Sequence, residues 1–449
     1  MLILGRLSKN EKLLIIQRNM KKVFLFGVIT LLLFPAIVQA QYLRNSYFME
    51  GSSTRMQLNP AFQPTRGYIN LPVIGSLNAE VSSNSLGTQD IINIFDSDGD
   101  FYNNDSFYKK LKTNNKLSVN LNTDVVSFGF YKGKGFWSFN IGARINADAA
   151  IPKTMFDYLR AVNNENYNNS FHIANEKLHL NAYTEIGAGY SRSINQRLSV
   201  GAKVKVLLGA ANLNLDVKNI DIKLTEAGYD SNVEINSNAQ MQISGKGIDL
   251  DEENGEISDI NYNGFGFGGY GAGIDLGACY KLTDHLTLSA SILDLGFISW
   301  SKKNTTIAES KQHETIDATN ASEDVLDFDL FGLRKVESKS RTTSLNPTLA
   351  VGAEYALLNN KLGLGVLSTT RFGQLRTYPE LTISATARPN SLINATLSYS
   401  ILQGLDTFGF ALKLGPFMIG TDYMFLGNNT KHVNAFIGLS IPLGKKQKI

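Results

Sequence analysis

Apolar and polar residues alternate along most of the chain, from Leu117 to Leu443, in successive segments of similar length. In residues 198–208, for example, the even positions carry Leu198, Val200 and Ala202, whereas the odd positions from 199 to 205 carry serine, glycine and two lysines. A period of two is typical of β-strands whose two faces meet different surroundings. The pattern recurs at 135–147, 274–282, 349–357, 362–372, 381–388, 392–401, 408–414, 417–425 and 433–443. The sequence therefore predicts about 14 strands.

The connections between these segments are of two kinds. Short turn signals such as Lys132–Gly135 and Asn359-Asn360 join some segments. Long polar connections are predicted near 148–175, 218–232, 245–265 and 301–344. Short turns at one end and long loops at the other are typical of outer-membrane barrels. We therefore expect an all-β fold, a transmembrane antiparallel up-and-down β-barrel over residues 67–443, followed by a basic tail at 444–449.

A soluble β-sandwich or propeller would also alternate, but its outward face would be freely charged. Here the polar face is rich in glycine, serine, threonine and asparagine, and its charges are scattered and of both signs. Aromatic residues such as Trp137, Tyr190 and Tyr280 lie near segment ends, where membrane girdles would form. A membrane barrel is therefore favoured, with these charges in the lumen: Arg144, Glu185, Lys203, Lys205, Asp275, Lys281, Glu354, Arg371 and Arg388.

The first forty residues have the three parts of a secretory signal peptide. Lys21 and Lys22 precede an apolar run over 23–38, and Ala40 ends a small-residue exit. We expect cleavage after Ala40, and we interpret residues 1–19 as an over-extended gene start. The predicted location is the outer membrane.

Composition and motifs exclude several classes of function. The chain has 39 Gly, 25 Phe and 18 Tyr but one cysteine, Cys279, so an internal disulfide is excluded. The net charge of +3 includes no basic block before the tail, which makes nucleic acid an improbable partner. No catalytic motif or zinc spacing is present, so we expect no enzymatic activity, no cofactor and no metal. The acidic turn at Asp96, Asp98 and Asp100 lacks the Gly and Glu of a calcium loop and is interpreted as a solvated turn.

Residues 41–66 do not alternate, and a barrel of this size is too wide for its own side chains to fill. We therefore predict that this segment is a luminal hatch, or plug, turned inward by a rigid bend at Asn59-Pro60. A flexible periplasmic leader is the alternative. The hatch and ligand-contacting candidates are Met49, Met56, Leu58, Asn59, Pro60 and Phe62.

One interior residue breaks the strand pattern. Asp294 interrupts the alternation of 286–292 and shifts its phase, so that Leu293, Leu295 and Phe297 would align. We interpret this as a β-bulge, and a lateral opening in the wall is the functional alternative.

Three segments near the mature N-terminus carry a family resemblance: residues 46–51, 55–61 and 63–68. With the segment 291–300, they resemble an uncharacterised DUF-type family of Gram-negative outer-membrane proteins. That family is distantly similar to FadL-type fatty-acid transporters, through the Asn59-Pro60-Ala61 step, and to the PorV-like barrels of type IX secretion. The last strand departs from the usual outer-membrane pattern, because it closes on Ile441-Pro442-Leu443 rather than on an aromatic residue.

The resemblance implies two functions of different classes. The first is uptake or binding of a hydrophobic small molecule, as in FadL. The second is a non-transporting scaffold or shuttle in protein secretion or surface assembly, as in PorV-like barrels. An apolar pocket beside the hatch would favour transport, whereas a polar, plugged lumen with large ordered outer loops would favour a scaffold. The partners implied are outer-membrane lipid and lipopolysaccharide, the barrel assembly machinery and a hydrophobic ligand.

Overall fold

The computed structural model describes residues 43–447 except 71–75, 97–99, 164–168, 228–229, 254, 318–330, 391, 403–404 and 424–428. The predicted signal peptide therefore lies outside the described residues. Among the residues described, no helix combines the length and the apolar character needed to cross a membrane.

Strands make up most of the described chain. The helices are α1 (Thr88–Asp96), α2 (Asp105–Tyr108) and α3 (Lys153–Asn163), with short 3-10 turns at Arg44–Ser46, Thr54–Gln57, Asp100–Asn103 and Lys302–Asn304. The strands are β1 (Gly67–Asn70), β2 (Leu77–Ser83), β3 (Asn114–Lys132), β4 (Gly135–Pro152), β5 (Ser170–Ser193), β6 (Leu198–Ala227), β7 (Asp230–Gly245), β8 (Ile248–Glu253), β9 (Glu256–Tyr262), β10 (Gly269–Lys281), β11 (Leu286–Trp300), β12 (Thr305–Asp317), β13 (Arg334–Glu337), β14 (Arg341–Ser344), β15 (Thr348–Leu357), β16 (Leu362–Phe372), β17 (Thr377–Ala387), β18 (Ile393–Leu402), β19 (Leu405–Leu414), β20 (Phe417–Thr421) and β21 (His432–Leu443).

The strands close into one antiparallel barrel. β1 and β2 together form the first wall strand, which pairs with β3 on one side and with the last strand, β21, on the other. Gly67 opposes Leu443 at this seam. The wall then runs through β4, β5, β6, β10, β11 and β15 to β21, which gives 14 wall strands and confirms the predicted fold class.

The two faces of the wall differ as the alternation predicts. Large apolar side chains such as Val204, Ile383 and Leu397 are more than half exposed on the outside. Polar and charged side chains such as Asn140, Glu185 and Thr396 are buried on the inside. This inside-out distribution is the reverse of a soluble protein, whose apolar face is buried.

The two ends of the barrel are also unequal. Tight turns at one end join β3 to β4, β5 to β6 and β15 to β16. At the other end, the loops predicted near 218–232 and 245–265 are largely strand instead. β6 continues to Ala227 and returns as β7, and β8 pairs with β9 within the second range. Lys218, Asn219, Asp221 and Lys223 give the start of this range a loop-like composition, because they lie on the face of the hairpin that is open to water.

These extended strands build a second unit, which we call the platform: the described residues within 88–113, 153–182, 211–262 and 301–337. β7 pairs with β6 on one side and with β12 on the other, and β12 pairs with β13. Helix α3 packs on the sheet through Met155, Phe156, Tyr158 and Leu159, which are all buried. The platform therefore has a hydrophobic core of its own, separate from the barrel.

A bulge at Lys218 allows β6 to serve that core. Val217 opposes Ala239 and Asn219 opposes Asn238, so Lys218 is an extra residue in the strand. The bulge reverses which positions face inward. The side chains that reach the core are therefore odd-numbered before the bulge and even-numbered after it: Leu213, Leu215 and Val217, then Ile220, Ile222 and Leu224.

The bulge predicted at Asp294 is confirmed. Ile274 opposes Leu295 whereas Leu276 opposes Ile292, so β11 has one residue more than β10 at this point. Asp294 has a positive φ of 58°. The predicted alignment of Leu293 with Leu295 and Phe297 is wrong, because Leu293 is buried inside and the other two face outward. The extra residue lies after Leu293, not before it.

Candidate functional site

The N-terminal residues 43–66, which we call the plug, lie inside the barrel and touch its wall on several sides. Tyr47 Oη donates a hydrogen bond of 2.9 Å to Ser289 Oγ on β11. Asn59 Nδ2 donates to the carbonyl oxygens of Ala278 and Ala290, at 3.2 Å each. Because these contacts join the plug to fixed positions on β10 and β11, they set its height in the lumen.

The Asn59-Pro60 bend fits into a notch made by two wall glycines. The Asn59 side-chain oxygen accepts a hydrogen bond of 2.9 Å from the backbone N–H of Ala61, which closes a tight turn. A Cβ added at Gly201 would lie 2.2 Å from the Pro60 carbonyl oxygen, and one at Gly277 would lie 2.1 Å from Asn59 Oδ1. The wall has no side chains here, and the bend occupies that space.

Arg44 anchors the start of the plug through charge. Its guanidinium lies 2.7 Å from Glu380, 3.6 Å from Asp422 and 3.7 Å from Glu80. The backbone N–H of Asn45 also donates to Asp422, at 2.9 Å. The largely buried Arg44 side chain thus faces three carboxylates, on β2, on β17 and directly after β20, and these ion pairs hold the start of the plug against the wall.

A second polar anchor holds the middle of the plug. Arg388 donates to the Phe48 carbonyl oxygen at 2.7 Å and also pairs with Glu354. Asn360, in the adjacent tight turn, donates to Glu50 at 2.8 Å. The plug is therefore bound to the wall both in the lumen and at the short-turn end.

A larger ionic network lines the wall beside the plug. Lys205 lies 2.7 Å from Asp275, 2.6 Å from Asp294 and 3.4 Å from Glu185. The network extends from Glu185 to Lys203 at 2.5 Å, and Arg144 pairs with Asp124 at 2.9 Å. Gln57 of the plug donates to Asp124 at 2.8 Å. Charges of both signs neutralise one another here, so this part of the lumen is filled rather than open.

The predicted hatch residues lie at different contacts. Leu58 and Phe62 pack with Tyr47, Phe48, Ala350 and Leu367 in an apolar cluster between plug and wall. Met49 packs in a separate cluster with Leu43, Ala411, Met418 and Phe436. Asn59 and Pro60 form the bend described above, and Met56 is partly buried beside a small cavity.

Seven of the nine predicted lumen charges take part in ion pairs of two groups, the network around Lys205 and the Arg388–Glu354 pair. They are Arg144, Glu185, Lys203, Lys205, Asp275, Glu354 and Arg388. Arg371 is buried and stacks on Tyr378, away from both. Lys281 is exposed at the end of β10. The prediction did not include Arg44, Glu80, Asp124, Asp294 or Glu380. Arg44 precedes the strands and Asp294 lies on a bulge, so alternation alone does not show which way either side chain faces.

Two small cavities lie among the described residues of the lumen, and most of the side chains that line them are polar. A cavity of about 160 Å³ lies beside Arg44, and another of about 30 Å³ lies beside Met56. Within the described residues no group of histidine, cysteine, aspartate or glutamate is placed to hold a metal ion. Asp98 of the acidic turn lies outside the described residues. The geometry thus supports binding in a filled lumen rather than a wide aqueous channel.

Among solved structures, the chain is similar to the toluene transporter TbuX of Ralstonia pickettii, with 10% identity, a TM-score of 0.43, and coverage of 91% of this chain and 99% of that one. A Pseudomonas aeruginosa FadL homologue gives 11% identity and a TM-score of 0.28, covering 90% and 97%. The NalP translocator domain of Neisseria meningitidis gives 7% and 0.31, covering 85% and 90%.

No curated protein matches the chain in sequence. The model of a family of unknown function, DUF5723, matches residues 60–422. The match begins at Pro60, within the bend, and covers every wall strand except the last. The chain therefore belongs to the DUF5723 family.

Proposed function

We propose that this protein is an outer-membrane barrel that is closed by its own plug and that binds another macromolecule on its platform, as a scaffold in secretion or surface assembly. The platform carries the proposal. It is an ordered sheet with a buried core, built by the same strands that form the wall. It works by binding rather than by catalysis.

The outer surface supports placement in a bilayer. Apolar side chains such as Val204, Leu364 and Leu397 are exposed around the wall. Trp137 and Tyr190 pack against each other, with tilted rings whose centroids are 4.8 Å apart, near the tight turns, where an interfacial girdle belongs. Water would make this surface costly, whereas lipid would not. Lipid and lipopolysaccharide are then its surroundings, and the barrel assembly machinery inserts it.

The plug supports a closed state. It is held by buried ion pairs and hydrogen bonds on both sides of the lumen, including Arg44–Glu380 and Arg388–Phe48. Breaking a buried charge pair by removing one partner costs about 3–5 kcal/mol, so these anchors oppose spontaneous opening. A scaffold needs a stable wall and does not need this lumen to conduct.

The platform also has a solvent-facing polar surface. Helix α3 covers one face of the sheet, and the opposite face carries amide side chains such as Asn238 and Gln240 on β7. Gln240 donates to Glu309 on β12 at 2.9 Å, so these groups form an ordered row. Amides and carboxylates in a fixed row suit a polar protein or polysaccharide surface.

Site-specific photo-crosslinking in cells tests this function. A photoreactive residue at Gln240 should give one discrete crosslinked species, whereas the same residue at Lys281, exposed at the opposite end, should not. Purified wild-type protein should also show no steady conductance in planar bilayers. Loss of the discrete species at Gln240, or an open wild-type channel, would contradict a closed scaffold.

The apolar cluster between plug and wall favours a second function, uptake or binding of a hydrophobic small molecule. Phe48, Leu58 and Phe62 meet Ala350 and Leu367 inside an otherwise polar lumen. A hydrophobic ligand entering there would replace these contacts. Uptake of a labelled long-chain fatty acid that requires the protein, and that Phe62→Asp abolishes, would establish this function in place of the first.

Deleting residues 45–64 tests whether the plug closes the barrel. A plug that occludes the barrel must raise conductance when it is removed. An unchanged conductance with normal barrel yield would show that 41–66 behaves as a leader and not as a hatch.

A further inference from the structure

The larger cavity, of about 160 Å³, lies at the platform end of the barrel between the plug and the wall. It is bounded by Ser83 of β2 and His432 of β21 on one side and by Tyr378 of β17 on the other. Its lining extends from buried His432 to exposed Lys112, so it reaches toward solvent. A space of this size holds several waters or one small polar group.

Basic side chains dominate the lining. Lys112, Arg371, Arg376 and Lys431 all border the cavity, and among the described residues none of the four forms an ion pair. The two carboxylates of the lining, Glu80 and Glu380, are both engaged by Arg44, together with Asp422 behind them. Arg44 thus pairs with the acidic groups at this cavity, and the other basic side chains of the lining leave it with an excess of positive charge.

Besides Arg44 Nη1, which faces the carboxylates of Glu80 and Asp422, two nitrogen atoms of this lining have no hydrogen-bond partner in the described part of the chain. They are Arg376 Nε and His432 Nδ1, and both are buried. Buried polar atoms in proteins are almost always paired, so an orphaned pair at one cavity indicates a missing partner. Because Arg376 can only donate, that partner must accept hydrogen bonds.

The arginines are also held in position. The guanidinium carbon of Arg371 lies 4.2 Å from the centre of the Tyr378 ring, and that of Arg376 lies 4.3 Å from it. Arg371 donates in addition to Asn120 and, at 3.4 Å, to Ser118. Stacking removes rotamer freedom before a ligand arrives, so less entropy is lost on binding.

We propose that this cavity binds an oxyanion of the phosphate type, through Arg371, Arg376, Lys112 and Lys431. Planar guanidinium groups match the geometry of phosphate oxygens, and each contact is a charge-assisted hydrogen bond. The phosphate belongs either to a free solute or to the headgroup of an outer-membrane lipid. The site is independent of whether the platform binds a partner.

Calorimetry on the purified full-length protein in neutral detergent tests the site, with inorganic phosphate as the probe and chloride holding the ionic strength constant. We expect saturable binding that Arg376→Gln weakens at least about tenfold. Lys335→Gln, which removes an exposed charge on the platform, should leave it unchanged. Arg376→Lys should fall between them, because it keeps the charge but loses the fork.

Lys431→Gln provides a second variant in case Arg376→Gln disturbs folding, which heat-modifiability in gels reports. It should weaken phosphate binding several-fold with a normal barrel. Phosphate binding that is absent, or equal in all four variants, overturns the proposal.

The two sources of phosphate are distinguished by a second arm. Wild-type protein and Arg376→Gln are compared in mixed micelles containing a phospholipid with a free phosphate monoester headgroup. Retention of that lipid by wild type alone assigns the site to a headgroup. Binding of inorganic phosphate without lipid retention assigns it to a solute, and failure of both probes removes the site.

Discussion

Strand β6 solves two opposite packing problems within one continuous element. Up to Gly209 it pairs with β5 and β10 in the wall, and its apolar side chains face outward, with Val204 59% exposed. From Ala211 it pairs with β5 and β7 in the platform, and its apolar side chains face inward, with Val217 0% exposed. The same residue types are thus used against lipid in one half and against a protein core in the other.

The comparison shows that apolar alternation by itself does not say what the apolar face meets. In the wall, the polar face is turned to the plug and its ion pairs, because the barrel is closed on itself. In the platform, helix α3 supplies apolar partners and the polar face is turned to solvent. What covers each face decides which half behaves as a membrane protein.

The largest effect should come from deleting Lys218. Removing the bulge would turn Ile220, Ile222 and Leu224 away from the core, and each fully buried aliphatic side chain contributes about 1.5–3 kcal/mol. The hairpin beyond Val217 should lose its protection in hydrogen-exchange mass spectrometry, while the barrel stays heat-modifiable. Lys218→Gly, which keeps the extra residue, should behave nearly as wild type; if the deletion is equally mild, the phase argument fails.

Trp300 is the last residue of β11, where the chain passes from the wall to the platform, and it gives the next effect. It is fully buried with Tyr183, Leu207, Ile298 and Leu345, and its indole N–H donates to Thr343 at 2.9 Å. Trp300→Ala should destabilise this junction by about 3–5 kcal/mol, as for other buried large-to-small changes. Limited proteolysis should release the platform and leave the barrel intact, whereas Trp300→Phe should resist. Simultaneous loss of both halves would show that they are one cooperative unit.

Glu176 makes the platform sensitive to pH. It opposes Val217 on the apolar face, is 2% exposed, and burial raises its pKa from 4.5 to about 8. The folded state therefore keeps a proton that the unfolded state loses. Stability is highest below pH 4.5, falls as the pH rises toward 8, and is level above it.

This decline corresponds to about 1.4 kcal/mol per pH unit, or about 4 kcal/mol between pH 5 and 8. Hydrogen exchange of the β5 and β6 amides, corrected for intrinsic rates, measures it. Glu176→Gln should remove the slope, and Glu252→Gln, in the exposed part of β8, should retain it. A slope that is the same in both variants would assign it to other groups.

The smallest effect belongs to the lipid-facing wall. Val204→Lys should cost about 2–4 kcal/mol near the bilayer centre, although Val204 is exposed and a soluble protein would tolerate the change. The fraction of folded barrel in heat-modifiability gels, titrated with urea in lipid vesicles, measures this cost. Val204→Thr should be mild. Tolerance of lysine at this position would mean that the face is not in contact with lipid.

Alternation predicted the barrel correctly because the period of two is a property of each strand's own sequence and does not depend on the neighbouring strand. The strand count and the bulge at Asp294 were accessible for the same reason. The long connections were not, because 218–232 has the polar composition of a loop and becomes strand only through pairing with β7. Strand formation there depends on a neighbour supplied by the fold.

The order of residues is enough to show which segments alternate, where tight turns reverse the chain and that 43–66 does not form wall strand. The folded barrel is needed to show that Arg44 meets Glu380 and Asp422, and that Gly201 and Gly277 make room for the Asn59-Pro60 bend. These contacts join residues hundreds of positions apart. They form only when the sheet closes, because closure brings the last wall strands back to the first residues of the described chain.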